Sequence, residues 1–273
     1  MLQAGTLGPV QQAVRTGAAL AMACHPAPTL TVTALAAALA AAADRTVPEV
    51  VGLAAAVLCG QLSVGWLNDL VDASRDAAVG RSGKPVAEGR VSRRTVGAGV
   101  IVAAVAALAL TSLFGLTALL AHTVALASAW AYDLGVKSTA FSVVPYTVSF
   151  ALLPVIVGPA PLWLMAAAAT LGSAAHFANA IPDLADDLAT GVRGLPHRIG
   201  ARSSILAAAA LMLATGVLLA LGPPGPPTPL ALAALGVAGM ILAIGVAKGG
   251  RAPFAAVMAV ALVDVAVAVH VLT

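Results

Sequence analysis

The chain is expected to be an all-α polytopic membrane protein, nine transmembrane helices around a central cavity. Three observations predict this. The 273 residues are 60% hydrophobic and only 9% charged, with a mean hydropathy of +1.00, a profile that excludes an ordinary soluble domain. Apolar runs of roughly 20 residues, the length that crosses a bilayer, recur from end to end. Finally, thirteen of the fourteen Lys and Arg residues fall in alternate loops, as the charge asymmetry of membrane proteins requires.

In order, the expected spans cover about residues 20–43, 48–72, 94–114, 115–134, 138–158, 161–184, 201–222, 229–248 and 252–272. The whole of 1–273 then reads as a single transmembrane domain. The second and sixth spans are expected to run past the hydrocarbon. Pro145, Pro154 and Pro182 lie within spans, and Pro182 predicts a kink in the sixth. Gly222-Pro223-Pro224-Gly225-Pro226-Pro227-Thr228-Pro229 can only be a loop. Cys24 and Cys59 sit in apolar segments and read as small hydrophobes rather than a redox pair. The first basic residue is Arg15, and no signal peptide is expected.

Orientation follows from the basic residues. Arg15, the six residues Arg75, Arg81, Lys84, Arg90, Arg93 and Arg94, then Lys137, the trio Arg193, Arg198 and Arg202, and finally Lys248 and Arg251 share one side. Arg45 alone lies on the other. The N-terminus and these loops are therefore expected in the cytoplasm and the C-terminus outside. A net charge of +3 with so few, loop-bound cations gives no reason to invoke nucleic acid.

Six of the eleven acidic residues gather at two places, each ending a long apolar span. Asn68, Asp72 and Asp76 are spaced i, i+4, i+8, and so are Asn179, Asp183 and Asp187. On a helix that spacing makes a single polar stripe. Each stripe precedes a basic loop with Gly and Pro: Gly80-Arg81-Ser82-Gly83-Lys84-Pro85 in one half, Gly191 to Gly200 in the other. The pattern suggests an internal repeat that sets two sites around one cavity. Carboxylates persist near hydrocarbon mainly for function. Carboxylates beside Lys and Arg point to a polyphosphate bridged by Mg2+, which takes one or two carboxylates, waters and phosphate oxygens. A cavity in the bilayer suits a diphosphate on a long apolar tail.

On these residues the chain resembles the UbiA superfamily of intramembrane prenyltransferases. Asn68-Asp69-x-x-Asp72-x-x-x-Asp76 matches the family's first Asp-rich motif. Asn179-x-x-x-Asp183-x-x-x-Asp187 matches the second, with Asn where Asp often stands first. Lys84-Pro85 with Gly89-Arg90-Val91-Ser92, Tyr132 with Lys137, and Leu195 to Gly200 resemble its loops and its diphosphate site. The resemblance implies a helical bundle with a cavity open sideways to lipid and capped by cytoplasmic loops, in an inner or cytoplasmic membrane. It implies Mg2+-dependent ionisation of a polyprenyl diphosphate. Asn68, Asp72, Asp76, Asn179, Asp183 and Asp187 would hold two Mg2+, with Asp69 binding the first or orienting its waters. Arg81, Lys84, Lys137, Arg198 and Tyr132 would contact the diphosphate, making Asp72, Asp183, Lys84 and Tyr132 the residues closest to the chemistry. The Asn at 179 is a neutral ligand and would hold its metal more weakly.

Other residues keep two readings. Tyr132 and Asp133 are adjacent and cannot both face the cavity squarely; Tyr132 is the choice. His176 falls on the second stripe, as a cavity residue or a hydrogen-bonded core histidine. His25 opens the first span where this family approaches the acceptor. His197 lies in the basic loop, within reach of phosphate. Trp66 and Trp130 either stabilise a carbocation through their π faces or anchor the helices at the interface. Asp264, a lone acid at mid-span, must be neutral or paired. Asp186 lies off the stripe. Three activities remain open: transfer of the prenyl group to an acceptor, cyclisation by a terpene cyclase of the same superfamily with no acceptor, and transport, for which only Asp264 is well placed.

Overall fold

The computed structural model describes residues 8–248 and 252–273; Arg251, one of the basic residues used for orientation, lies outside them. Every regular element among the described residues is helical. The helices are α1 (Pro9–Ala23), α2 (Pro26–Ala42), α3 (Val47–Ala78), α4 (Arg93–Ser112), α5 (Leu116–Leu134), α6 (Val144–Val157), α7 (Leu162–Ala180), α8 (Leu184–Ala189), α9 (Leu195–Leu221), α10 (Pro229–Lys248) and α11 (Ala252–Leu272). Five of them, α3, α4, α9, α10 and α11, are long and apolar enough to cross a membrane, and the bent pair α1–α2 would make a sixth. Two more, α5 and α7, have 19 residues each, but polar groups dilute them: His122, Tyr132 and Asp133 in one, Ser173, His176 and Asn179 in the other. The remaining apolar helix, α6, is only 14 residues long. Polar positions that face inward are what hydropathy alone scores against a span.

Local chemistry places the breaks. The first span does not run unbroken from residue 20: α1 and α2 meet at an angle of 70°, where His25 adopts φ 56 just ahead of Pro26, which disfavours helical backbone in the residue before it. The longest helix, α3, starts at Thr46, whose N–H donates to Glu49 Oε2 at 2.8 Å, with Pro48 in its first turn. Its 32 residues rise about 48 Å at 1.5 Å each, well beyond the ~30 Å of hydrocarbon. That excess length is enough to carry Asp72 and Asp76, at its C-terminal end, beyond an apolar layer of that thickness. Gly200, at φ 82, divides α9 into a short entry turn and a long apolar helix.

Packing relies on small side chains. Gly65 of α3 lies so close to the Cys24 carbonyl that a Cβ there would collide with it, and Gly172 of α7 lies against Phe150. Close approach of backbones through Gly and Ala is how membrane helices gain contact. One core joins α7, α9, α10 and α11 through Phe177, Met212, Leu242 and Val260; another joins α2, α3, α5 and α6 through Leu39, Leu53, Ala125 and Leu153. Outward positions such as Ile101, Val105, Leu120 and Leu262 are exposed and apolar, suited to lipid.

Candidate active site

The first motif lies on unbroken α3, with Asn68, Asp72 and Asp76 on successive turns. The chain then doubles back over them. Gly80, Gly83 and Gly89 all have positive φ, which lets the segment after α3 reverse direction. Glu88 Oε1 accepts from the N–H groups of Gly83 and Lys84 at 2.7 and 3.3 Å. Val86, buried with Ala73, Val91 and Val96, donates its N–H to Asp69 Oδ2 at 3.1 Å. Asp69, only 1% exposed, is thereby tied to the loop backbone. Lys84 Nζ comes to 3.6 Å from Asp76 Oδ2 and 3.7 Å from Asp69 Oδ1. It also lies 3.3 Å from His25 Nε2, so the elbow between α1 and α2 reaches the same spot.

The second motif is not one helical stripe. Asn179 ends α7, Asp183 caps α8 and Asp187 lies inside α8. The i, i+4, i+8 spacing fails because Pro182 has no N–H to continue the helix; turn bonds replace it, from Ile181 N to Ala178 O and from Asp183 N to Ala180 O, both 3.3 Å. The kink expected at Pro182 is a full break. Asp186 is exposed on α8.

Arg81 joins the two motifs. Its guanidinium is 3.5 Å from Asp76, 3.7 Å from Asp183 and 3.4 Å from Asp187. Burial works against its charge, but Asp183, Asp187 and Asp76 together outweigh that and hold it above the ordinary arginine value. Partial burial likewise pushes the Asp183 carboxyl upward, while Arg81 pulls it back. The other side of the site comes from the end of α5 and the turn after it. Lys137 Nζ grips both oxygens of Asp72 at 2.6 and 2.7 Å, and Arg75 pairs with the same carboxylate. Asn68 Nδ2 donates to Asp133 Oδ1 at 2.9 Å.

Both of the adjacent residues therefore enter the site, on different sides of α5. Asp133 faces the first motif, a contact that the choice of Tyr132 over Asp133 missed. Tyr132 faces an aromatic group: its ring is 5.3 Å from Tyr146 and 5.8 Å from His176, and Tyr146 is 5.1 Å from His176. Asn179 is exposed at the end of α7. His176 is a buried, hydrogen-bonded histidine, its Nε2 3.0 Å from Ser142 Oγ, while its Nδ1 has no partner. Ser142 Oγ also accepts from Leu195 N at 2.8 Å, which pins the start of α9. Tyr146 and Ser142 are the members that reading the sequence overlooked, and Asp133 the one it weighed and set aside; of the two overlooked, only Tyr146, one of two tyrosines in the chain, carried a usable signal.

The remaining residues divide. His197 Nε2 lies 3.4 Å from Asp187 Oδ2 and belongs to the cluster. Arg198 is not brought to the carboxylates: its side chain is exposed and its Nε donates to the Arg193 carbonyl at 2.9 Å. Trp66 donates to Leu20 O at 2.9 Å and Trp130 to Ser63 Oγ at 3.2 Å, so each indole N–H ties elements together. Asp264 is buried in α11 beside Gly216, with no ion-pair partner among the described residues.

Among the described residues, no three acidic, imidazole or thiol groups converge closely enough to hold a cation as they stand. The donor chemistry nevertheless suits a hard cation. The ligand types are carboxylate and amide oxygens, and Asp69 Oδ1 and Asp76 Oδ2 are buried without hydrogen-bond partners. The carboxylates are paired with Lys84, Lys137 and Arg81. An open cleft of ≈ 470 Å³ lies at the opposite ends of the helices around Arg45. Arg45 there is committed to the Val157 carbonyl at 2.9 Å and to Glu49 at 3.2 Å, far from either motif.

The profile of the UbiA prenyltransferase family matches residues 29–259. The chain belongs to that family. Solved UbiA structures share its fold. A UbiA homologue from Archaeoglobus fulgidus bound to GPP and Mg2+ aligns with a TM-score of 0.70 at 15% identity, over 93% of this chain and 99% of that one. The apo UbiA homologue from Aeropyrum pernix K1 aligns at 0.67 and 19% identity, over 89% and 94%. A digeranylgeranylglyceryl phosphate synthase aligns at 0.69 and 11% identity, over 94% and 97%. No curated protein matches the chain.

Proposed function

We propose that this UbiA-family chain is a Mg2+-dependent intramembrane prenyltransferase that ionises a polyprenyl diphosphate and passes the prenyl group to an acceptor. The observation that carries the reading is the joining of two separate acidic motifs by the cations of the first loop, Arg81 above all. The A. fulgidus homologue, with a similar fold, holds GPP and Mg2+. All nine apolar helices, α2 to α7 and α9 to α11, would span a cytoplasmic membrane as one domain, with the motifs on the cytoplasmic side.

Asn68, Asp72, Asp76, Asn179, Asp183 and Asp187 would hold the metal ions, with Asp69 fixing the loop above them. Bound Mg2+ supplies positive charge at the diphosphate as the C–O bond breaks and the electron pair leaves with pyrophosphate. The chain's own cations act on the same leaving group. Lys137, Lys84 and Arg81, now paired with carboxylates, would turn to the diphosphate oxygens once the metals take those carboxylates. Arg198 would have to leave the Arg193 carbonyl to join them. Tyr132, Tyr146 and His176 lie beside the carboxylates, where the allylic end of the chain would sit. Their ring faces stabilise a cation there, and the covering loop excludes water that would capture it.

Pyrophosphate and organic product, measured together from radiolabelled prenyl diphosphates, test this. Chelation should abolish release and Mg2+ restore it. Asp72→Asn and Asp183→Asn should each lower the rate roughly a hundredfold or more, whereas Asp44→Asn, outside both motifs, should be near neutral. Full activity in EDTA overturns the mechanism. Cyclic hydrocarbon formed without acceptor moves the chain to the cyclase branch, and no pyrophosphate from any substrate leaves transport.

A further inference from the structure

Beneath the aromatic group, α2, α3, α5 and α6 line a second, partly open pocket of ≈ 50 Å³, walled by Val32, Val57, Leu126 and Phe150 but also by Gln61 and His122. Gln61 lies eleven residues before Asp72 on α3, and His122 eleven before Asp133 on α5. Both therefore stand about 16 Å below the carboxylates. Phe150 stacks on Tyr146 at 6.4 Å, and Tyr146 touches Tyr132 and His176. A continuous column of rings thus leads from the carboxylates to this space.

His122 is 5% exposed, and its Nδ1 lies 2.6 Å from Thr111 Oγ1. The Thr111 hydroxyl has one proton and gives it to the Ala107 carbonyl at 2.7 Å, the usual bond of a helical threonine to its preceding turn. Its oxygen must then accept from Nδ1–H, which leaves the lone pair on Nε2. Nothing among the described residues hydrogen-bonds Nε2. A Cβ on residue 60 would come within 2.8 Å of it, so Gly60 keeps that edge of the ring uncovered. The pocket has room for water beside the imidazole and the Gln61 amide, which both line it.

We propose that His122 and Gln61 are specificity-determining residues, a polar floor that rejects a prenyl chain long enough to reach it. The proposal rests on the prenyltransferase reading. A methyl-ended chain that enters the floor leaves the buried imidazole and the half-buried Gln61 amide facing hydrocarbon without a partner, a defect worth roughly tenfold to hundredfold in selectivity. A shorter chain stops among the rings and leaves the floor wet. Thr111 is a positioning residue that holds the imidazole in register.

The test is the kcat/KM for pyrophosphate release across dimethylallyl, geranyl, farnesyl and geranylgeranyl diphosphates, with Mg2+ in lipid nanodiscs. Wild type is expected to fall sharply at one step of the series. His122→Leu and Gln61→Leu should each raise the long-to-short ratio tenfold or more, and Thr111→Val should raise it less. The ratio is insensitive to a general loss of active protein, and Gln61→Leu leaves the Thr111 contact intact if His122→Leu fails to fold. An unchanged ratio in variants that still release pyrophosphate overturns the proposal, as does a wild type that accepts every length equally. Absence of release from any diphosphate overturns the prenyltransferase reading itself, a separate outcome.

Discussion

At the scale of residues, the site is a set of carboxylates whose main partners are cations from outside their own helices. Lys137 comes to Asp72 from 65 residues away and Arg81 to Asp187 from 106. Neutral hydroxyls matter as much for order. Ser142, fully buried, serves both His176 and the N–H of Leu195. Ser142→Ala would leave both groups buried and unpaired. We expect it to destabilise the protein by about 1–3 kcal/mol, read as a fall in the thermal unfolding temperature in detergent. An unchanged unfolding temperature would mean that water replaces the hydroxyl and that α9 is not anchored there.

At the scale of elements, the two halves solve one problem differently. The first motif rides on a helix long enough to leave the bilayer intact. The second needs a helix break, because α7 ends at Ala180 and only a turn through Pro182 brings Asp183 and Asp187 back toward Arg81. The elbow before α2 is held against α3 by close backbone contact at Gly65. Gly65→Ala should therefore cost about 1–3 kcal/mol through overpacking and pull His25 away from Lys84. Gly17→Ala, on α1 with open space around it, should be neutral or stabilise by up to about 1 kcal/mol through helix propensity. Thermal unfolding of the two variants side by side separates these expectations; equal shifts would refute the packing argument.

At the scale of the whole molecule, the basic loops and both motifs meet at one end of the bundle, and Arg45 stands at the other. A reporter fused at the C-terminus is expected to be active outside the cytoplasm and one inserted near Gly83 inside it. The reverse pattern would overturn the orientation and place both motifs on the other face.

The sequence by itself determined the class of fold, most helix positions and the first motif's stripe, because hydropathy and helical periodicity are local and α3 is regular throughout. It also marked the loop cations, since Lys and Arg stand out in so apolar a chain. Tertiary structure alone decided which cation meets which carboxylate. It placed Asp133 on Asn68, set Arg198 aside, and split the second stripe at Pro182. It gathered Tyr146, Ser142 and His176, and it uncovered the edge of His122 beside Gly60. These are contacts between segments far apart in the chain, set by how helices turn and approach one another, and no spacing along a single segment records them.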